Sequence, residues 1–255
     1  MTPPPDDLPR APAFGIACFA GTLAEAADAV LGRALSGRGG YGVLCNVHVL
    51  MTSEREPALR DALRGAWLVF PDGAPVAWLV RRSGAAEAER VGGPDLLAAV
   101  LDRGRARNLR HFFYGSTPAV VERLLASIDD RFPGVALAGA FAPPWGTEHD
   151  EGSLEHVVRS GAHVVWVGLG APKQELWMRR HAATLAPALV LGVGAAFDFH
   201  AGTKSRAPRW MRQAGLEWLH RFASEPRRLG PRYIASNSRF AWRLVREAAH
   251  GDPAR

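Results

Sequence analysis

Asp72 stands between Pro71 and Gly73, directly after the apolar run Trp67-Leu68-Val69-Phe70. A carboxylate at the end of such a run faces the cleft beyond the carboxyl end of a buried strand. There it can take a proton from a hydroxyl nucleophile. Asp-Gly is also a common turn pair and aspartate a common helix cap, so the pattern alone leaves both roles open. Asn46 and His48 follow a second apolar run, Val43-Leu44-Cys45, and are expected at the same cleft, where His48 can touch a substrate or equally be a structural histidine. Cys45 reads as a small apolar side chain, since no Cys-His arrangement is visible around it. Gly168-Leu169-Gly170-Ala171-Pro172-Lys173-Gln174-Glu175 has the form of a tight strand-to-helix turn. Small residues let a ligand approach the backbone, and a helix start offers N–H groups to an anion. The segment lacks the lysine-serine ending of a P-loop and the spacing of a dinucleotide fingerprint, and alone it is equally a plain connection. Asp198, in Gly192–Phe199, can bind a sugar hydroxyl or order its own loop. No HExxH, Asp-x-Asp or paired-histidine spacing occurs, so no metal or other cofactor is expected.

The second chemical signal is basic. Residues 204–255 hold 12 basic and 4 acidic side chains, whereas residues 1–203 hold 19 and 21. The net charge of +6 therefore comes entirely from the last fifth of the chain. Arg206, Arg209, Arg221, Arg227, Arg228 and Arg232 suit bidentate pairing with phosphate oxygens. Such a segment favours a polyanion: nucleic acid, anionic lipid or a diphosphate. Trp210, Trp218 and Tyr233 interleave with these arginines, as in surfaces that stack bases. No recognisable nucleic-acid module accompanies them, and aromatics in short helices also serve as packing.

These residues need a scaffold, and the pattern supplies one. Short apolar runs at 14–19, 43–46, 67–70, 111–114, 135–138, 163–167 and 188–193 read as strands. Helical stretches alternate with them. Thr22 with Glu25 forms a capping box for a helix reaching about Leu35, and Thr117-Pro118 opens another. Helices are also expected over about 54–63, 95–105 and from Pro172. This is an α/β, Rossmann-like, mostly parallel sheet with helices on both faces. After Gly194 no strand is expected, and helices at 216–222 and 233–249 form a basic appendage. The expected organisation is a flexible segment over 1–13, a core over 14–203 and the appendage over 204–255. Two cysteines, Cys18 and Cys45, make no disulfide scaffold, and 47% hydrophobic with 22% charged residues excludes a disordered chain. Met1–Arg10, rich in proline and aspartate, has no leader pattern, and no run is long enough to span a membrane.

In order along the chain, Asn46-Val47-His48, Pro71-Asp72-Gly73, Glu89-Arg90-Val91-Gly92-Gly93, Phe113–Ser116, Val167–Trp177, Gly192–Phe199, Arg206-Ala207-Pro208, Gly215–Trp218 and Glu225–Leu229 form one set. Taken together the set resembles the WecG/TagA/CpsF family of bacterial glycosyltransferases. That family includes the N-acetylmannosaminyltransferases of enterobacterial common antigen and wall teichoic acid synthesis. The resemblance runs from about Phe14 to Val245. It implies a metal-independent inverting hexosyl- or N-acetylhexosaminyltransferase. A UDP-sugar would be the donor, and a saccharide on a polyprenyl diphosphate the acceptor, in teichoic acid, capsule or exopolysaccharide synthesis. By the same resemblance Asp72 is the base. Cys45, Asn46, Gly168, Gly170, Pro172, Gln174 and Glu175 are the family's donor-pocket positions, and His48 and Asp198 join that pocket by their place in the cleft. Arg206, Arg221, Arg228 and Arg232 are assigned to the diphosphate. Cys45 replaces the family's threonine, which removes a hydroxyl and predicts a changed donor-sugar preference. The expected setting is cytoplasmic, at the inner face of the plasma membrane, with a homo-oligomer allowed and no nucleic acid partner. The competing readings are a non-catalytic nucleotide or nucleic-acid binding module and an NAD-linked oxidoreductase. The second suits the fold class but not the glycine spacing.

Overall fold

Strands flanked by helices on both faces have no polar side, so they read as unbroken apolar runs. The computed structural model, which describes residues 7–147 and 149–250, except for the side chains of residues 213, 228, 229, 232 and 250, places these runs in one sheet. Its strands are β3 (Gly40–Cys45), β4 (Leu68–Pro71), β5 (Arg110–Gly115), β6 (Ala136–Phe141), β7 (Val164–Gly168) and β8 (Leu189–Gly192). The order is β4-β3-β8-β7-β5-β6, and every pairing is parallel. The sheet is thus all-parallel rather than mostly so. The chain steps from β3 outward to β4, then crosses to β5 on the other half, and this reversal opens a crevice beside β3 and β8.

Side-chain parity divides the core. Val43, Cys45, Val69, Val165, Val167 and Val190 face one side. Leu44, Leu68, Phe70, Phe113, Trp166 and Leu191 face the other. The second side is covered by α1 (Leu23–Leu35), α5 (Gly93–Gly104), α6 (Pro118–Arg131) and α9 (Ala196–His200). The first side is covered by α2 (Val47–Ser53), α3 (Pro57–Arg64), α4 (Ala74–Arg82), α7 (Glu151–Arg159), α8 (Lys173–His181) and α12 (Pro226–His250). Two short helices, α10 (Arg209–Gln213) and α11 (Glu217–Ser224), precede α12. The helix expected over 54–63 is α3, opened by Pro57 at its first turn, and a further helix not expected from the sequence, α2, ends before it at Ser53.

The Thr22 capping box is formed. Its side chain accepts from Glu25 N at 3.2 Å, and the Glu25 carboxylate accepts from Thr22 N at 2.8 Å. Thr22→Ala is expected to lower stability by about 1 kcal/mol, read as a urea midpoint shift at unchanged slope.

The segment expected to be flexible through residue 13 needs correction. Arg10–Ala13 is strand β1, paired antiparallel with β2 (Ile16–Phe19). Phe14 and Gly15, read as the start of one strand, are instead the two-residue turn, with φ of 49° and 77°. Two positive φ values match the right-handed twist of a hairpin, but a phenylalanine there is strained. Its ring is held by Phe240 of α12, with centroids 5.4 Å apart, and lies under the Arg243 guanidinium. The appendage is therefore laid against the core: Phe240 joins the buried cluster and Leu244 packs on it.

Candidate active site

The carboxyl ends of β3, β4, β7 and β8 open into a cavity of about 550 Å³, roofed by α11 and α12. That volume suits a small-molecule or nucleotide ligand. Asp72 follows β4, anchored by its N–H donating to the Cys45 carbonyl at 3.0 Å. Gly73, with φ of 90°, turns the chain away so that the carboxylate faces the cavity. Burial raises the Asp72 pKa from 3.8 to about 6. Arg90 and Arg221 pull it down, and Glu217 and Asp95 push it up. A carboxylate of this kind is ionised at neutral pH and still basic enough to accept a proton.

Asn46 caps α2 through Oδ1, which accepts from Val49 N at 3.1 Å. Its amide NH2 is therefore what it offers a ligand. His48 lies one turn on, with Nδ1 3.2 Å from the Ser236 hydroxyl of α12. Gly168 ends β7 against the Phe197 ring, where an added Cβ would lie 2.7 Å from a ring carbon. Gly170 and Gln174 complete that wall. The Gln174 side chain is almost wholly buried; Nε2 donates to Glu175 Oε1 at 2.8 Å, and Oε1 has no partner among the described residues. Asp198 lines the far side and also orders the loop after α9, accepting from Thr203 Oγ1 and lying 3.7 Å from Lys204 Nζ. Both roles left open by the sequence are thus compatible with its position. Arg221 lines the cavity over the Phe199 ring.

Four expected pocket residues stand off the cavity wall. Cys45 is fully buried with its side chain in the core cluster that holds Cys18, whereas its neighbour Leu44 lines the cavity. Burial also pushes its thiol pKa well up. A donor preference set by direct contact with Cys45 is therefore dropped. Pro172 forms the turn into α8, and Glu175 is buried behind Gln174. Arg206 is held by Asp95 and Glu217. The side chains of Arg228 and Arg232 lie outside the described residues.

The cavity also gathers residues that the sequence did not assign to it; Trp218 and Tyr233 had stood out only as aromatics among the arginines. Arg90, Lys204, Glu217 and Trp218 line it, as do Tyr233, Ser236, Asn237 and Phe240. The last four are spaced i, i+3, i+4, i+7, one face of a helix, and that spacing was the available signal. Arg90 sits in a quoted stretch, but only the fold turns it toward Asp72. Among the described residues no group of three or more His, Cys, Asp or Glu is placed to hold a metal ion.

A nucleotide-sized cavity at the switch point of a parallel sheet, with a raised carboxylate facing arginines, is a setting for group transfer onto a hydroxyl. The sequence matches the family described as Glycosyl transferase WecG/TagA/CpsF over residues 11–253, which contain the whole cavity. That family uses a nucleotide-sugar donor and a lipid-linked acceptor. The chain belongs to the WecG/TagA/CpsF family, and is thus a glycosyltransferase of cell-surface polysaccharide synthesis.

Proposed function

We propose that the protein is an inverting transferase, moving a hexosyl or N-acetylhexosaminyl group from a UDP-sugar to a saccharide on a polyprenyl diphosphate. The observation that carries this reading is Asp72, raised to about 6 in the cavity and faced by Arg90 and Arg221. The acceptor hydroxyl attacks the anomeric carbon and its proton passes to Asp72. The bond from that carbon to the diphosphate oxygen breaks, and UDP leaves with the electron pair. Arg90, Arg221 and Lys204 are the cations along the wall that can meet the growing negative charge. With that charge met by side chains, transfer proceeds without a divalent ion.

The lipid acceptor fits the exposed surface of the appendage. Trp210, Ile234, Trp242 and Val245 are exposed on its helices, as are Arg239 and Arg246. An apolar and basic surface of this kind suits an anionic bilayer, so the enzyme works as a peripheral protein on the inner leaflet. Among the described residues no helix is long and apolar enough to cross a membrane.

The test is transfer from labelled UDP-sugars to a lipid-linked acceptor in anionic vesicles, with and without EDTA. Turnover is expected to survive the chelator, and kcat/KM to fall tenfold per pH unit below about pH 6, as Asp72 takes up its proton. Turnover abolished by EDTA and restored by magnesium would remove the metal-free reading. Retention of the donor's anomeric configuration in the product would remove the inverting one.

A further inference from the structure

Beside the cavity runs a closed ring of charges. Arg90 donates Nη1 to Glu217 Oε2 at 2.5 Å and Nη2 to Asp95 Oδ2 at 3.1 Å. Arg206 donates Nη2 to the same Asp95 oxygen at 2.5 Å and Nε to Glu217 Oε1 at 3.3 Å. Each carboxylate bridges both guanidiniums, and each guanidinium bridges both carboxylates. Arg212 Nη1 reaches Asp95 Oδ1 at 3.5 Å from outside. The four ring side chains are between 15% and 23% exposed, so the ring is shielded but not sealed. Arg90 lies between β4 and α5 and Asp95 in the first turn of α5, whereas Arg206 precedes α10 and Glu217 opens α11. The ring thus ties the sheet's crevice to the C-terminal segment. Of its members, Arg90 and Glu217 line the cavity.

We propose that Asp95 and Arg206 are positioning residues, which act through Arg90 and Glu217 to fix those two cavity side chains around Asp72 and so couple seating of the C-terminal segment to readiness of the base. The proposal rests on the reading of Asp72 as that base. A lone arginine on a cavity wall samples many rotamers. Held on two edges by carboxylates, its planar fork has one orientation. Isolated exposed ion pairs contribute little, but a closed, partly buried network of guanidinium forks holds its geometry. The ring also sets the field at Asp72. The charged groups facing that carboxylate are Arg90, Glu217, Arg221 and Asp95. Two cations and two anions cancel within the ring, so removing Asp95 leaves an excess of positive charge beside the base.

The test compares full-length wild type, Asp95→Asn, Arg206→Gln, the double variant and the milder Arg206→Lys in the vesicle transfer assay across pH. Misplacement of a wall residue by about 1 Å can cost about 10²-fold. Both single variants are expected to lose about 10–100-fold in kcat, with donor KM changed less than about threefold. Arg206→Lys, which keeps a cation but not the fork, should fall between them and wild type. In Asp95→Asn the acid limb of kcat/KM should move to lower pH, a change that general loosening does not produce. The double variant should be no worse than the poorer single one, because both remove the same support. Full kcat in both singles, or additive losses with an unmoved acid limb, would overturn the assignment. Hydrogen exchange without substrate gives an independent readout. Backbone amides over residues 206–224 should exchange about tenfold faster in both variants. Should wild type show no sugar transfer, the base reading fails, while unchanged exchange would overturn the clamp itself.

Discussion

Asp72→Asn is expected to cut transfer by about 10²–10⁴-fold and, in the same molecule, to raise stability at neutral pH by about 1 kcal/mol. The sign follows from the raised pKa. The folded protein holds a proton on Asp72 up to about pH 6, whereas the carboxylate ordinarily releases it near 3.8. Stability from this group is therefore fully present below 3.8 and is lost as pH rises through 6. At pH 7.5 the ionised carboxylate costs the fold up to about 3 kcal/mol at about 1.4 kcal/mol per pH unit. Water in the cavity screens part of this, which leaves about 1 kcal/mol. Asparagine has the same shape and no charge. Urea unfolding at pH 7.5 and at pH 3.5, alongside turnover, checks both halves: the variant should be the more stable at the higher pH and indistinguishable at the lower. Undiminished turnover in a folded variant would end the assignment of Asp72 as base.

Acid is expected to weaken the fold chiefly through His111. This histidine begins inside the sheet, fully buried, and burial lowers its pKa from 6.5 to about 3. Trp166 Nε1 donates to His111 Nδ1 at 3.1 Å, so Nε2 carries the proton, and it has no partner among the described residues. A second proton on the ring would place a charge in the core. The stability held by neutral His111 is present above pH 6.5 and is lost as pH falls toward 3, at about 1.4 kcal/mol per unit. Between pH 6.5 and 4.5 the loss is about 3 kcal/mol. His163, His181 and His200 are lowered too and act in the same direction, while Asp72 opposes them between about 6 and 3.8. His111→Leu should be less stable at pH 7.5, because the Trp166 N–H loses its acceptor, yet its stability should decline less steeply with acid. An identical slope in both proteins would show that the acid sensitivity lies elsewhere.

How far the sequence carried this reading depends on which interactions decided each feature. Val164–Val167 and Leu189–Leu191 are buried on both faces and announce themselves as strands. The Thr22 cap is a local hydrogen-bonding device and is legible for the same reason. The hairpin was not legible, because a Phe-Gly turn carries no ordinary turn signal and Phe14 is supported by Phe240 from the far end of the chain. Helix α4 was hidden by its Pro-Asp-Gly approach and its nearly continuous apolar sequence. That Asp72, Asn46 and Gln174 line the cavity was legible because strand ends in a doubly wound sheet open into the crevice. Cys45 read from its own residues as a small apolar side chain, as the core holds it; its pocket assignment came from the resemblance. The roof escaped because it joins residues 188 apart, as His48 and Ser236 are.

That last separation sets an order of events at the ribosome. The sheet and the residues following its strands are complete in the nascent chain once β8 and α9 have been made. The roof arrives only with residues 215–240. At about 5–20 residues per second, the emerging protein spends several seconds with an open crevice and with the Phe14 turn lacking the ring that steadies it. For that interval the crevice stays open to solvent, and the cavity around Asp72 is closed over only when α11 and α12 have been added.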